Sequence, residues 1–321
     1  MTSKVLVTGA SGLLGAQLCK YLIAKGTSVR ALVRNKHNTG LLAPYQDKLE
    51  IVEGDILDIY ALEQALEGIS QVYHCAAVVS FAKKDRNLMK KINVEGTANL
   101  VNLCVEKPGI RLLHVSSIAA LGDTEGKITE KTKWKDSPSV TFYAKTKHLA
   151  ELEVYRGIEE GLDAVMVLPS IIIGQGRDNH PFMRLFKRAI KKGIPWYHHG
   201  VTGYIGVDDV VQGMYIVMQQ APKGEKYILN SENLSFYHFL SLISEIFDTP
   251  KPKYKIPYRL TYNIARIVEL IYPGHAFLNR ETIKSSIKQQ EYSAQKFIES
   301  FSFRFKPIKE CLLQMKQSIQ A

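Results

Sequence analysis

The stretch KVLVTGASGLLG, from Lys4 to Gly15, decides the fold. Val5, Leu6 and Val7 form an apolar run short enough for a strand buried on both faces of a parallel sheet. Thr8 and Gly9 end it. Beyond them Leu14, Leu18, Leu22 and Ile23 recur at helical spacing, so the chain reads strand, tight turn, helix. Gly9, Gly12 and Gly15 punctuate the turn, where the backbone must take unusual dihedrals, approach a ligand and let the helix lie against the strand. The helix opening near Gly12 aims unpaired amides and its positive dipole end at the turn, which suits a pyrophosphate. The candidate contacts there are Gly9, Ser11, Gly12, Leu13, Leu14 and Gly15. The spacing is G-x-x-G-x-x-G rather than G-x-G-x-x-G, so it is the strand before and the helix after that make this a nucleotide site.

Outward from the turn, Ser28 to Val33 reads as a second strand ending at Arg34. A carboxylate about twenty residues past the glycines suits the ribose hydroxyls of NAD, whereas an arginine suits the 2′-phosphate of NADP. No Asp or Glu stands between Gly15 and Arg34, so the expected cofactor is NADP, with NAD possible and with Arg30, Lys36 and His37 as helpers. Further strands are read at Leu49 to Val52, Val72 to Cys75, Arg111 to Ser116, Ala164 to Leu168 and Tyr227 to Leu229. Between them lie a helix capped by Asp58, a long helix from about Asp85 to Glu106 and a helix from Tyr143 to about Glu160. Gly122 to Ser139 reads as a polar loop. Alternation of strand and helix requires a parallel, doubly wound sheet. Ligands bind at the carboxyl edge of such sheets, where Arg34, Asp55, Ala76, Ser117 and Pro169 all fall. The expected division is a dinucleotide-binding domain over 1–175, to which 205–229 returns, and a smaller, mainly helical substrate region over 176–204 and 230–321.

Composition narrows the class. A chain of 321 residues with 45% hydrophobic content can bury a substantial core. It has no apolar run long enough to span a bilayer, and a strand starting at Lys4 predicts no leader, so a cytoplasmic protein is expected. Cys19, Cys75, Cys104 and Cys311 form no C-x-x-C pair and predict buried thiols rather than a zinc site or disulfides. The net charge of +11 favours anionic partners, but there is no nucleic-acid-binding module. His198 and His199 are adjacent and make a poor metal pair, so no metal is expected.

Tyr143 and Lys147 stand four apart at the start of a helix, one turn from each other on one face. A phenol has a pKa near 10, and a nearby ammonium would help it exchange a proton near neutral pH. Ser117, at the end of the fifth strand, is placed to hydrogen-bond a substrate oxygen shared with Tyr143.

With these residues in place, the sequence resembles the extended short-chain dehydrogenases and reductases, within the NAD-dependent epimerase/dehydratase superfamily. The motifs are TGASGLLG (Thr8 to Gly15), GDILD (Gly54 to Asp58), NVEGT (Asn93 to Thr97), HVSSIAALG (His114 to Gly122), YAKTK (Tyr143 to Lys147), LPSIIIG (Leu168 to Gly174) and VDDVVQG (Val207 to Gly213). The resemblance implies a Rossmann fold with Tyr143 as acid and base, Lys147 on the nicotinamide ribose and Ser117 orienting substrate. It places Asp55 and Ile56 at the adenine, Ala76 and Ala77 along the cofactor, and Pro169, Ser170 and Ile171 at the nicotinamide amide. It implies a homodimer through the helices holding Asn93 and Tyr143, and a chiefly structural role for Asp208 and Asp209.

Departures narrow the branch. Dehydratases carry an acidic pair where Ile118 and Ala119 stand; epimerases carry a Tyr and an Asn where Leu121 and Ser170 stand. VRALVR, from Val29 to Arg34, and LPSIIIG are similar to the dihydroflavonol reductase and 3β-hydroxysteroid dehydrogenase branch. An apolar wall of Val79, Phe81, Ile118, Ile172, Phe182, Phe186 and Trp196 is expected. The reading is an NADP(H)-dependent oxidoreductase acting on a carbonyl, or the corresponding alcohol, of a mostly apolar small molecule. The alternatives are a nucleotide-sugar epimerase with tightly held NAD and a dinucleotide-sensing protein without turnover.

Overall fold

In a computed structural model, which describes residues 4–124, 126–176, 181–271 and 280–320, the apolar runs become one parallel sheet. The side chains of residues 181, 182, 184, 185, 269–271 and 320 fall outside that description. Lys4–Thr8 (β1), Ser28–Val33 (β2), Glu50–Glu53 (β3), Ile69–His74 (β4), Arg111–Val115 (β5), Asp163–Pro169 (β6) and Lys226–Leu229 (β7) stand in the order β7-β6-β5-β4-β1-β2-β3. Val5 pairs with Val29, Val72 with Leu112, Leu113 with Val165 and Val167 with Tyr227, all in parallel register. The order reverses between β1 and β4, and that switch point opens a crevice at the carboxyl edge.

Strand residues alternate between two cores because successive side chains leave opposite faces of a pleated strand. Val5 and Val7 join Leu18 and Leu22 of Leu13–Ala24 (α1) and Val210 and Met214 of the helix Val207–Gln220, all in one cluster. Leu6 faces the other way, into a cluster with Leu62 of Ile59–Ala65 (α2), Leu100 of Gly96–Glu106 (α3) and Val154 of Phe142–Glu159 (α4). A third core joins Ile173, Phe186, Tyr204, Phe239, Ile308 and Leu312 beneath a small sheet of Ile171–Ile173, Val201–Gly206 and Glu232–Ser235.

The Asp58 carboxylate accepts from Ala61 N at 3.1 Å and caps α2. Asp58→Ala is expected to cost about 1 kcal/mol in chemical denaturation, the usual loss of an N-cap.

Three expectations change. The stretch from Asp85 to Glu106 is not one helix: Arg86–Lys90 is α-helical, Lys91–Glu95 is a π turn, and α3 follows. The Thr97 hydroxyl takes the carbonyl of Asn93 at 2.7 Å, the acceptor that a regular helix would reserve for the Thr97 amide. The polar loop contains a strand, Gly126–Ile128, paired with Gln290–Tyr292. Arg30 does not reach the cofactor edge. Its guanidinium donates to Ala65 O at 2.9 Å and Glu67 O at 2.8 Å and pairs with Glu50 at 3.0 Å, fastening the end of α2 to the sheet.

Candidate active site

The dinucleotide turn is shaped by contacts that only glycine allows. Gly9 has φ +64°, and a Cβ there would lie 2.6 Å from the Ala76 amide nitrogen; one on Gly15 would run into the carbonyl of Gly9. Gly12 differs. A Cβ there would meet only Gly9 O, at 3.3 Å, so the protein's own atoms leave room at Gly12. No side chain caps the N-terminus of α1, whose first-turn amides Leu13, Leu14 and Gly15 have no helical partner. A bare helix end beside the small residues Ala76 and Ala77 fits a pyrophosphate. Arg34 is exposed at the end of β2, while the Asp55 carboxylate accepts from Leu57 N in a tight turn after β3. Ile56 is buried against Gly96, where a Cβ would come within 2.5 Å of its Cδ1.

At the ends of β5 and β6 the expected chemistry gathers. Thr141 caps α4 through Ala144 N, so Tyr143 sits in the first turn, over the strand ends. Ser117, just past β5, lies beside the Tyr143 phenol. Burial pushes that phenol up to about 12, and the Ser117 hydroxyl pulls it back. Lys147, 2% exposed, turns its ammonium to Val115 O at 2.7 Å and His114 Nε2 at 3.4 Å. Burial brings it down to about 8, while Glu151 one turn along the helix opposes the fall. The ammonium expected to lower the tyrosine thus bonds a strand carbonyl, and it is Ser117 that draws the phenol down.

Below lies a buried polar cluster. His74 is held between Thr8 Oγ1 at 2.7 Å and Thr97 Oγ1 at 3.0 Å, with its ring 5.3 Å from that of His114. Burial, then the Lys147 charge, drives both imidazoles down, His74 to about 3, so both stay neutral. Pro169 and Ser170 are buried at the end of β6, with the Ser170 hydroxyl unpartnered, and Ile171 is half-buried.

Several contacts here have no local signal. Asn93 accepts from Val78 N at 2.7 Å and donates to Val78 O and Thr146 Oγ1, both at 3.0 Å, tying the loop after β4 to α4. Its motif marked the position without its partners. Glu281 pairs with Arg86 at 2.5 Å and accepts from Phe142 N at 3.2 Å, reaching the first turn of α4 from the far end of the chain. The expected apolar wall does not converge. Phe186 and Ile118 are buried in separate cores, Val79 and Trp196 are exposed, Ile172 is half-buried, and the Phe182 side chain is outside the described residues. Phe81 does line a cavity of about 360 Å³ beside Phe142, together with Tyr262, Arg86, Lys145, Arg280 and Lys284. Its wall is aromatic and cationic at once.

Comparison with known proteins agrees with this geometry. Residues 5–230 match the NAD dependent epimerase/dehydratase family. A Synechocystis sp. protein provisionally named a dihydroflavonol 4-reductase is 31% identical, over 97% of this chain and 93% of its own length. Sterol demethylase protein B of Methylococcus capsulatus is 32% identical, over 81% of this chain and 79% of its own. The crystal structure of gox2253 superposes with TM-score 0.84 at 28% identity, covering 99% of this chain and 98% of that one. A parallel sheet in this strand order, a glycine turn shaped for a dinucleotide, and a family match spanning both make the chain a member of the NAD dependent epimerase/dehydratase family, an NAD(P)-dependent dehydrogenase/reductase of the extended short-chain type.

Proposed function

We propose that the enzyme uses NADP(H) to reduce a carbonyl on a mostly apolar small molecule, or to oxidise the matching alcohol, with Ser117, Tyr143 and Lys147 as its catalytic residues. The observation that carries this is Ser117 beside the Tyr143 phenol at the strand edge, with buried Lys147 one helical turn along the same helix. The bound dinucleotide supplies the hydride in reduction and accepts it in oxidation. Gly9, Ser11, Gly12, Leu13, Leu14 and Gly15 hold its pyrophosphate, Asp55 and Ile56 its adenine, Ala76 and Ala77 its length, and Pro169, Ser170 and Ile171 its amide. Lys147 donates to its ribose. Ser117 and Tyr143 both donate to the substrate oxygen, and the Tyr143 proton passes to that oxygen as the carbonyl becomes an alcohol. The sterol and dihydroflavonol names of the relatives support an apolar substrate.

A phenol held near 12 stays protonated across the neutral range, so the rate of reduction is expected to be flat from about pH 6 to 9. Oxidation needs the phenolate and should accelerate with pH over the same span; opposite profiles in stopped-flow traces would remove Tyr143 as the proton donor. In this reading Arg34, exposed at the end of β2, takes the 2′-phosphate. Arg34→Ala is expected to weaken NADPH by about 10-fold or more while NADH changes little, as read by fluorescence titration. An unchanged preference would overturn the NADP assignment.

Nucleotide-sugar epimerisation is a second reading, favoured by the cations Arg86, Lys145, Arg280 and Lys284 beside the catalytic helix, which suit a sugar-linked diphosphate. It requires dinucleotide that stays bound through turnover, so denatured enzyme would release a full equivalent, whereas the reductase exchanges it. Leu149 and Leu152 on α4 and Leu88 on Arg86–Lys90 are exposed leucines on the helices assigned to a homodimer. Residues 1–175 with 205–229 form the dinucleotide-binding part in this reading, and the remainder forms the substrate side.

A further inference from the structure

The helix Tyr258–Ile271 packs Thr261 and Ala265 inward and turns Leu260, Ile264 and Ile267 to solvent, the first and last 55% and 57% exposed. Those three positions, at i, i+4 and i+7, form one apolar stripe on the outer face. Just before the helix, Tyr254 and Lys255 pair in parallel with Trp196 and Tyr197. That register sets Tyr254, 65% exposed, beside Trp196, 49% exposed, and the Tyr197 ring lies 4.8 Å from Tyr237, also exposed. The segment leading into the helix and its first turns are basic, with Glu269 in the last turn. Between Asp248 and Glu269 the chain carries Lys251, Lys253, Lys255, Arg259 and Arg266 and no acid, and all five are exposed.

We propose that this face docks on an anionic lipid surface, with Leu260, Ile264 and Ile267 entering the headgroup boundary beside Trp196 and Tyr254, and with the five cations meeting lipid phosphates. An apolar stripe flanked by arginines and by amphipathic aromatics is the pattern of a helix lying in a membrane interface. Surface cations add attraction to anionic headgroups, about fivefold in affinity each. No helix among the described residues is long and apolar enough to cross a bilayer, so the contact is peripheral and reversible. A second copy of the chain would bring five like charges together at the same face, which disfavours self-association there. The face lies outside the residues assigned to catalysis, so its test does not depend on the substrate.

The full-length protein is centrifuged with vesicles of phosphatidylcholine alone or with about one third phosphatidylglycerol. Binding to the mixed vesicles is expected to exceed binding to neutral ones about 1000-fold at low salt, and most of that gain is lost at roughly 0.5 M salt. Lys253→Glu with Lys255→Glu, both exposed side chains, should cost about 20-fold or more, with circular dichroism matching the parent. Ile264→Ser with Ile267→Ser should remove the salt-resistant remainder, provided its circular dichroism matches the parent. Equal binding to both vesicle types, or none, overturns the proposal. So does self-association that the Ile264→Ser, Ile267→Ser variant abolishes, because a second copy would then be what covers the stripe.

Discussion

Tyr143→Phe is expected to lower kcat about 1000-fold while leaving the dinucleotide dissociation constant within about twofold. The change deletes one oxygen, the atom proposed to give its proton to the substrate, and general acid catalysis by a positioned side chain is worth about 100- to 10,000-fold. That corresponds to roughly 4 kcal/mol of transition-state stabilisation. The ring is kept, so the packing of the first turn of α4 survives. Steady-state rates with NADPH consumption, beside a fluorescence titration of the free enzyme, measure the two quantities separately. Equal losses in both would show that the tyrosine serves binding or folding.

Lys147→Met is expected to cost about 100-fold or more in kcat and yet to make the protein more stable at pH 7. An unfolded lysine ammonium has its ordinary pKa of 10.5, and in the fold burial brings Lys147 down to about 8. Below about pH 8 the folded state therefore carries the whole cost of burying that charge, up to about 3 kcal/mol. The cost shrinks as pH rises through 8 and is gone above 10.5. Methionine fills similar volume without the charge but leaves Val115 O unpaired, which costs about 1 to 2 kcal/mol. The net expectation is a gain of about 1 to 2 kcal/mol in urea unfolding at pH 7, narrowing towards pH 10. A variant less stable than the parent at pH 7 would show that the ammonium's bonds to Val115 O and His114 outweigh its desolvation. Buried charge kept at a net cost to stability is what a functional residue looks like.

The parallel sheet, the glycine turn and the Asp58 cap were legible from the sequence because each depends on residues within a few positions of one another. The positions of Tyr143, Lys147 and Ser117 were legible for a related reason: helical spacing joins the first two on one helix, and a strand end precedes the third. Arg30 misled because a strand residue near the cofactor edge and one near the opposite edge look alike in sequence; only the approach of α2 shows which it is. The apolar wall failed likewise, since hydrophobic residues seen in order scatter into three cores once helices pack.

By itself, then, the order of residues determined the doubly wound sheet and the candidate catalytic trio, since hydrophobic period and turn chemistry act locally along the chain. Tertiary structure alone decided that Asn93 grips Val78 and Thr146, that Glu281 reaches the Phe142 amide and that Gly126–Ile128 pairs with Gln290–Tyr292. It also decided that Lys147 meets Val115 and His114. These contacts join segments 15 to about 160 residues apart, and no local propensity selects one distant partner over another; the packing of the assembled layers does.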